Sequence, residues 1–417
     1  MDEWEWKELT NIRGELVKGV SLDNKSNLPR WFNGVSLILN NLRYGELTII
    51  LPDNRPFKFV GKSEGPKGCI IVKNEEFFSR LVREGENGFP ESYMDGWWDT
   101  PDLISVLDVI MMNNNEIGHS FPGGLIFRNY ERLVHWWHSN SKKQARKNIF
   151  YHYDLGNEFY AKWLDKTMTY SSAIFRTGKE SLEKAQENKY KAICDSINPR
   201  PDDHILEIGC GWGGFMEYAI KKRKVKVTGL TISKAQRDFA EKRLFEAGLS
   251  ERAKILLQDY RTQSGQYDGV ASIEMFEAVG EKYWPVYFNC MKNLMKSGAQ
   301  STLQIITIAD ELFPEYRKRV DFIQKYIFPG GMLPSKKALE TQIAKVGLEN
   351  VGTKCFGPSY SKTLRLWHGR FNSVWDEISS GKFDSRFKRM WNFYLASCAA
   401  VFYSKTGDVI QVTLKKT

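Results

Sequence analysis

The segment Leu206-Glu-Ile-Gly-Cys-Gly-Trp-Gly-Gly214 constrains this chain more than any other. It follows the apolar run His204-Ile-Leu-Glu-Ile, which reads as a strand, and precedes the helical pattern of Gly214 to Lys222. Glycines at such a junction let the backbone turn tightly and approach a ligand, while the helix start offers unpaired N–H groups. Gly209, Gly211 and Gly214 meet the G-x-G-x-x-G spacing of nucleotide-binding turns. That spacing recurs widely, and a plain tight turn with Glu207 in a surface ion pair is the competing reading. Glu207 shifts the balance, because a carboxylate there attracts an ammonium group and repels a pyrophosphate.

The pattern downstream repeats strand and helix. Lys224-Val-Lys-Val-Thr-Gly-Leu230, Ala253-Lys-Ile-Leu-Leu257, Tyr267-Asp-Gly-Val-Ala-Ser-Ile273 and Gln300 to Ile308 read as strands, and Ser233 to Ala247 reads as a helix. Such alternation predicts an α/β domain with a doubly wound, mostly parallel sheet. After its second strand an acid usually holds ribose hydroxyls, yet here Thr231 and Gln236 follow, offering neutral hydrogen bonds. After the third strand come Asp259 and Tyr260, an acid and a ring able to meet an adenine; a helix cap is the alternative for Asp259.

Residues 1–125 read as a smaller α+β unit. Gly45 to Pro52 and Gly68 to Lys73 suggest strands, Glu75 to Glu84 a helix, Tyr93 to Trp98 a loop, and Thr100-Pro-Asp-Leu103 the start of a helix with Pro101 at its first position. The basic stretch within 126–150 reads as a linker or exposed helix, and 151–417 as one catalytic-type domain with helical insertions. No run of eighteen apolar residues appears, so nothing is expected to span a bilayer. The formal net charge of +10 points to an anionic partner. The helical stretch from Lys382 to Leu395, rich in cations and rings, suits either a membrane surface or core packing. The six cysteines lie far apart and the histidines lack ligand spacing, so a reducing compartment and no metal site are expected.

Taken in order, His152-Tyr-Asp-Leu-Gly-Asn157, Met168-Thr-Tyr-Ser-Ser-Ala173, Leu206 to Gly214, Leu230-Thr-Ile-Ser-Lys-Ala-Gln236, Ser272-Ile-Glu-Met-Phe-Glu-Ala-Val-Gly280 and Phe328-Pro-Gly-Gly-Met-Leu-Pro334 resemble the cyclopropane-fatty-acyl-phospholipid synthase family, which includes the mycolic acid cyclopropane synthases. The resemblance covers nearly the whole chain. It implies a Rossmann-like methyltransferase domain with a mostly parallel seven-stranded sheet and a smaller sterol-carrier-like N-terminal domain. It also implies S-adenosylmethionine as cofactor and the cis double bond of a phospholipid acyl chain as substrate. Tyr170, Ser171, Glu207, Gly209, Gly211, Gly213, Thr231, Ile232, Gln236, Asp259 and Tyr260 match its cofactor contacts.

The family's bound bicarbonate, which takes a proton before ring closure, would meet Glu277, Tyr360, Ser172 and the backbone of Ile308. Two positions depart from the pattern: Ser172 stands for a cysteine, and Ile306 for a histidine, with Gln304 beside it as a candidate replacement polar group or a solvent-facing strand residue. Either bicarbonate binds and the ring closes, or the proton leaves by another route to a methylene- or methyl-branched chain, which a partner oxidoreductase would then process. The resemblance further implies a cytoplasmic homodimer held peripherally at the inner face of the membrane, with the bilayer surface and no nucleic acid as partner. A small-molecule methyltransferase and a non-catalytic lipid-binding protein are the competing classes.

Overall fold

The computed structural model describes residues 27–117, 155–379 and 383–417. The 126–150 segment and residues His152 to Asp154 of the first motif lie outside them. The chain divides into two compact units: residues 1–129 with 383–404, and residues 130–382 with 405–417.

The first unit carries a four-stranded sheet in the order β2-β1-β3-β4, with β1 Tyr44–Ile50, β2 Pro56–Val60, β3 Ser63–Val72 and β4 Trp98–Asp99. Leu47 and Ile49 point to the buried face of β1, two residues apart as the pleat requires. The core is aromatic. Phe89 stacks on the fully buried Trp98 at 4.5 Å, and Tyr93 lies 4.8 Å from the same ring. The segment 93–98 is therefore no simple loop: Gly88–Met94 is helical, and Trp98 enters the sheet. Pro101 likewise stays outside its helix, Leu103–Met112, because Asp102 takes the cap and accepts from the Ser105 N–H.

The helix Ser385–Tyr403 belongs to this unit and not to the catalytic-type domain, where the 151–417 boundary placed it. Its Phe393 ring joins Phe89 and Tyr93, and its Arg389 donates to Asp99 and to the Tyr93 carbonyl. Its apolar face finds a core supplied by residues nearly three hundred positions earlier. Core packing thus accounts for the aromatic half of the Lys382–Leu395 pattern.

The second unit holds a seven-stranded sheet, β10-β11-β9-β8-β5-β6-β7, built from β5 His204–Ile208, β6 Lys226–Thr231, β7 Ala253–Leu257, β8 Tyr267–Ile273, β9 Met295–Ile308, β10 Glu349–Cys355 and β11 Gly407–Lys415. Strands β5 to β9 pair in parallel, and β11 and β10 add antiparallel at one side. This is the expected doubly wound, mostly parallel Rossmann-like fold. Leu206 and Ile208 enter one core, while Ile205 enters another on the opposite face. Burial on both faces is what a parallel sheet demands of its central strands. The sheet reverses its order between β5 and β8, and ligands bind beyond the strand ends at such a crevice. The glycine turn sits there.

Candidate active site

Glu207 occupies β5 with 3% of its surface exposed, and its Oε2 has no hydrogen-bond partner among the described residues. Burial pushes its carboxyl up to about 8, against the pull of Lys189 and Arg243. An unsatisfied buried oxygen is costly unless a ligand completes it. The turn then runs through Gly209 and Gly211, both at positive φ, to Gly213 and the helix Gly214–Arg223. A side chain on Gly209 would strike Met275 at 2.8 Å, whereas one on Gly211 would meet nothing within 4 Å. Gly211 therefore leaves open space in the turn that leads from the Glu207 strand to the helix. These features fit a cofactor that bears a cationic amino group.

Other proposed cofactor residues surround this turn. Thr231 ends β6 and donates to Gln236 Oε1 at 2.9 Å, which fixes the amide over the start of the helix Lys234–Glu246. Ile232 is half-buried in the same turn. Asp259, after β7, is buried and capped onto the Arg261 N–H, and its carboxylate also pairs with the Arg261 guanidinium at 2.6 Å. The cap and the ion pair thus occupy the acid that the sequence offered to an adenine. Tyr260 lies 5.3 Å from Tyr287. Ser171 Oγ accepts from Lys189 Nζ at 2.6 Å, and the Tyr170 ring lies between 5.3 and 5.7 Å from those of Tyr160, Trp163 and Trp367. Such an aromatic wall suits a sulfonium or a carbocation, whose charge is drawn to ring faces.

A second acidic cluster lies at the ends of β8 and β9, and its centre is Glu274. This residue takes a left-handed φ of 49°, uncommon for any residue but glycine, and its N–H donates to the Gln304 carbonyl. Its carboxylate accepts three hydrogen bonds: from the Ser172 N–H at 2.8 Å, from Gln304 Nε2 at 2.8 Å and from the Tyr360 hydroxyl at 2.9 Å. Lys189, fully buried in the helix Leu182–Ile197, adds an opposite charge nearby. Burial raises the Glu274 carboxyl above its ordinary value and lowers the Lys189 ammonium to about 7.

Several sequence expectations change here. Glu277 does not meet Tyr360; its Oε1 accepts from the Ile306 N–H at 2.5 Å, and its buried Oε2 has no partner among the described residues. Ser172 contributes its backbone N–H to the cluster, while its hydroxyl donates to the Ala173 carbonyl. The Ile308 N–H is spent on the Pro334 carbonyl, so the amide that reaches a carboxylate is that of Ile306. Gln304 is fully buried, gripped by Gln411, and does not face solvent.

Bicarbonate therefore fits these residues poorly. Ser172, Gln304 and Tyr360, the groups nearest to an anion pocket, already serve the protein's own carboxylate. A further anion there would face both Glu274 and Glu277. Sequence reading missed Glu274 and Lys189. For Lys189 a signal existed: it shares a helical stripe with Leu182, Gln186 and Ile193, all buried.

Among the described residues no His, Cys, Asp and Glu group is arranged to hold a metal, and no helix is long and apolar enough to cross a membrane.

Comparison with known proteins matches residues 140–412 to the mycolic acid cyclopropane synthetase family model. A tuberculostearic acid methyltransferase of Mycobacterium tuberculosis is 38% identical over 83% of this chain and 82% of its own length. The cyclopropane-fatty-acyl-phospholipid synthase of Escherichia coli is 37% identical over 83% of this chain and 87% of its own. Among solved structures, a mycolic acid cyclopropane synthase complexed with SAH and CTAB superposes with a TM-score of 0.61 at 29% identity, covering 65% of this chain and 98% of that one.

Proposed function

The chain belongs to the mycolic acid cyclopropane synthetase family and is an S-adenosylmethionine-dependent methyltransferase of lipid chains; from that premise, we propose that its substrate is the cis double bond of an unsaturated acyl chain in a membrane phospholipid. The orphaned Glu207 carboxylate, on the strand that runs into the open Gly211 turn, carries this reading. Bound S-adenosylmethionine supplies an electrophilic methyl group. Glu207 Oε2 would receive its ammonium, the Gly209–Gly213 backbone would lie along the ligand, and Thr231, Ile232, Gln236 and Tyr260 would border it. Tyr170, backed by Tyr160, Trp163 and Trp367, would present ring faces to positive charge while keeping water out.

Addition of a methyl group to an alkene leaves a cation on the chain, and a proton must leave before the product is neutral. Loss from the added carbon closes a cyclopropane ring, which is the first reading. Ile306 at the position where the family has a histidine, with Gln304 beside it bonded to Glu274, favours a second: the proton departs without ring closure and leaves a methylene- or methyl-branched chain, to be reduced by a separate oxidoreductase. A basic chain of net charge +10 suits peripheral attachment to an anionic bilayer on the cytoplasmic side. A homodimer is the assembly expected.

The test incubates the purified chain with methyl-labelled S-adenosylmethionine and vesicles of dioleoyl phosphatidylglycerol, then separates ring from branched products by hydrogenation and ozonolysis. Label in the acyl chains supports the reading. Label confined to small soluble acceptors contradicts it.

A further inference from the structure

The acceptor of the departing proton is the protein's own. We infer that Glu274, and no external bicarbonate, takes the proton released by the methylated acyl chain. The inference rests on the alkene-methylation reading and adds a catalytic residue to it.

Three observations carry it. First, the Glu274 carboxylate already occupies the focus of the Ser172 N–H, the Gln304 amide and the Tyr360 hydroxyl, at 2.8 to 2.9 Å. These three donors are spent on Glu274, so a second anion would find none of them free to turn toward it, while Oε2, which among the described residues accepts only from Tyr360, keeps a lone pair for a proton. Second, the placement is specified, not incidental. Glu274 holds a left-handed backbone that a non-glycine residue adopts only under constraint, and its Gln304 partner is itself clamped by Gln411 at 3.0 Å. Third, burial raises the Glu274 carboxyl, and the buried Lys189 ammonium, bonded to Ser171, pulls it back toward the ionised form. The neighbouring Glu277 is suited to another state. It holds one backbone N–H, and burial together with the Glu274 charge pushes it up to about 8, so near neutrality it keeps its proton.

The step balances without another reagent. The alkene electron pair forms the new carbon–carbon bond, and the pair of the broken carbon–sulfur bond stays on sulfur. The chain cation then loses a proton to a Glu274 oxygen, and the electrons of that carbon–hydrogen bond close the ring or form a double bond. Neutral Glu274 returns the proton to water when the product leaves.

The experiment compares wild type with Glu274→Ala and Glu274→Gln in buffer stripped of carbon dioxide and in buffer with added bicarbonate or formate. Cofactor binding by calorimetry and carbon-13 bicarbonate binding by NMR are read on the same samples. Wild-type turnover is expected to be equal in the two buffers, with no bicarbonate bound. Glu274→Ala should bind cofactor normally, lose about 100-fold in turnover, bind bicarbonate and regain about 10-fold with either small acid. Should Glu274→Ala fail to fold, the isosteric Glu274→Gln keeps the test, with the same loss and no rescue. Wild-type turnover that collapses without bicarbonate, or bicarbonate bound by the wild type, overturns the inference. A wild type that labels no lipid in either buffer sinks the substrate reading instead, and bicarbonate binding by NMR still decides this one.

Discussion

The Tyr360 hydroxyl donates to Oε2 of Glu274 at 2.9 Å, tying the helix Gly357–Ser373 to the turn that ends β8. Eighty-six residues separate the two in sequence. A hydrogen bond to a charged acceptor contributes about 1.5–3 kcal/mol, and more is lost when a buried partner is stranded. Tyr360→Phe should accordingly lower turnover by about 10- to 100-fold while leaving cofactor affinity within a factor of about two. Steady-state kinetics on vesicles with parallel calorimetry check it, and a parallel fall in both quantities would argue against a role confined to Glu274.

Glu207 predicts a pH signature for cofactor binding. In the free protein its carboxyl is raised to about 8, so at neutral pH it is mostly protonated, with Lys189 and Arg243 as its charged neighbours. A cationic ligand favours the ionised form, so binding must expel a proton. Affinity should rise as pH climbs from 6 toward 7.5, below the range where an α-amino group of about 7.7–8.0 loses its own charge. Calorimetry in buffers of different ionisation enthalpy measures the proton release directly. Glu207→Gln should abolish that release and weaken binding.

The same shift has a sign for stability. Between the ordinary carboxylate value and about 8 the folded chain binds more protons at Glu207 and Glu277 than the unfolded chain. Their contribution therefore falls as pH rises through that window. Thermal melts of the cofactor-free protein should show Glu277→Gln losing less stability than wild type on going from pH 6 to pH 8.5. Equal losses would contradict the assignment.

Two glycines of the turn should respond differently to alanine. At Gly209 the added carbon would strike Met275 and force a shift in the core, so stability falls with affinity. At Gly211 it would enter empty space, and the only structural cost is a positive φ of 51°, about 1 kcal/mol. Gly211→Ala should fold with a small drop in melting temperature yet bind S-adenosylmethionine at least about tenfold more weakly, equivalent to 1.4 kcal/mol. Unchanged affinity would mean the ligand does not approach that backbone.

In the first unit, Arg80 gathers Glu84, Glu91 and Asp95 at 2.7, 2.9 and 2.7 Å. Removing one partner of a buried cluster leaves uncompensated charge, so Arg80→Met should cost about 3–5 kcal/mol. The guanidinium holds the Glu84 and Asp95 carboxyls below their ordinary range. Their stabilisation is complete above the unfolded carboxylate values and disappears as pH falls through the lower folded ones. Denaturant melts at pH 7 and pH 3 should thus show a gap between wild type and variant that narrows in acid.

Local pattern made much of the fold legible. Apolar runs placed β5 to β9 within a few residues, and the glycine turn with Glu207 pointed to a cofactor. What escaped depends on distant partners. Strand β10 is exposed along its whole length, so it shows no alternation to read. The helix Ser385–Tyr403 displays an apolar face, but nothing local says which core receives it. The choice between Glu274 and Glu277 turns on a single left-handed backbone angle and on donors 102, 30 and 86 residues away. The sequence pattern pointed to Glu277 and passed over Glu274.

Two carboxylates with separate duties form the centre of the account, one gripping the cofactor and one receiving a proton. Cofactor affinity and methyl transfer, measured together on Glu207→Gln and Glu274→Gln, separate them. The first variant should lose binding. The second should bind S-adenosylmethionine as wild type does while transfer to lipid drops by about two orders of magnitude. Wild-type transfer by the Glu274 variant, or undiminished binding by the Glu207 variant, would contradict it.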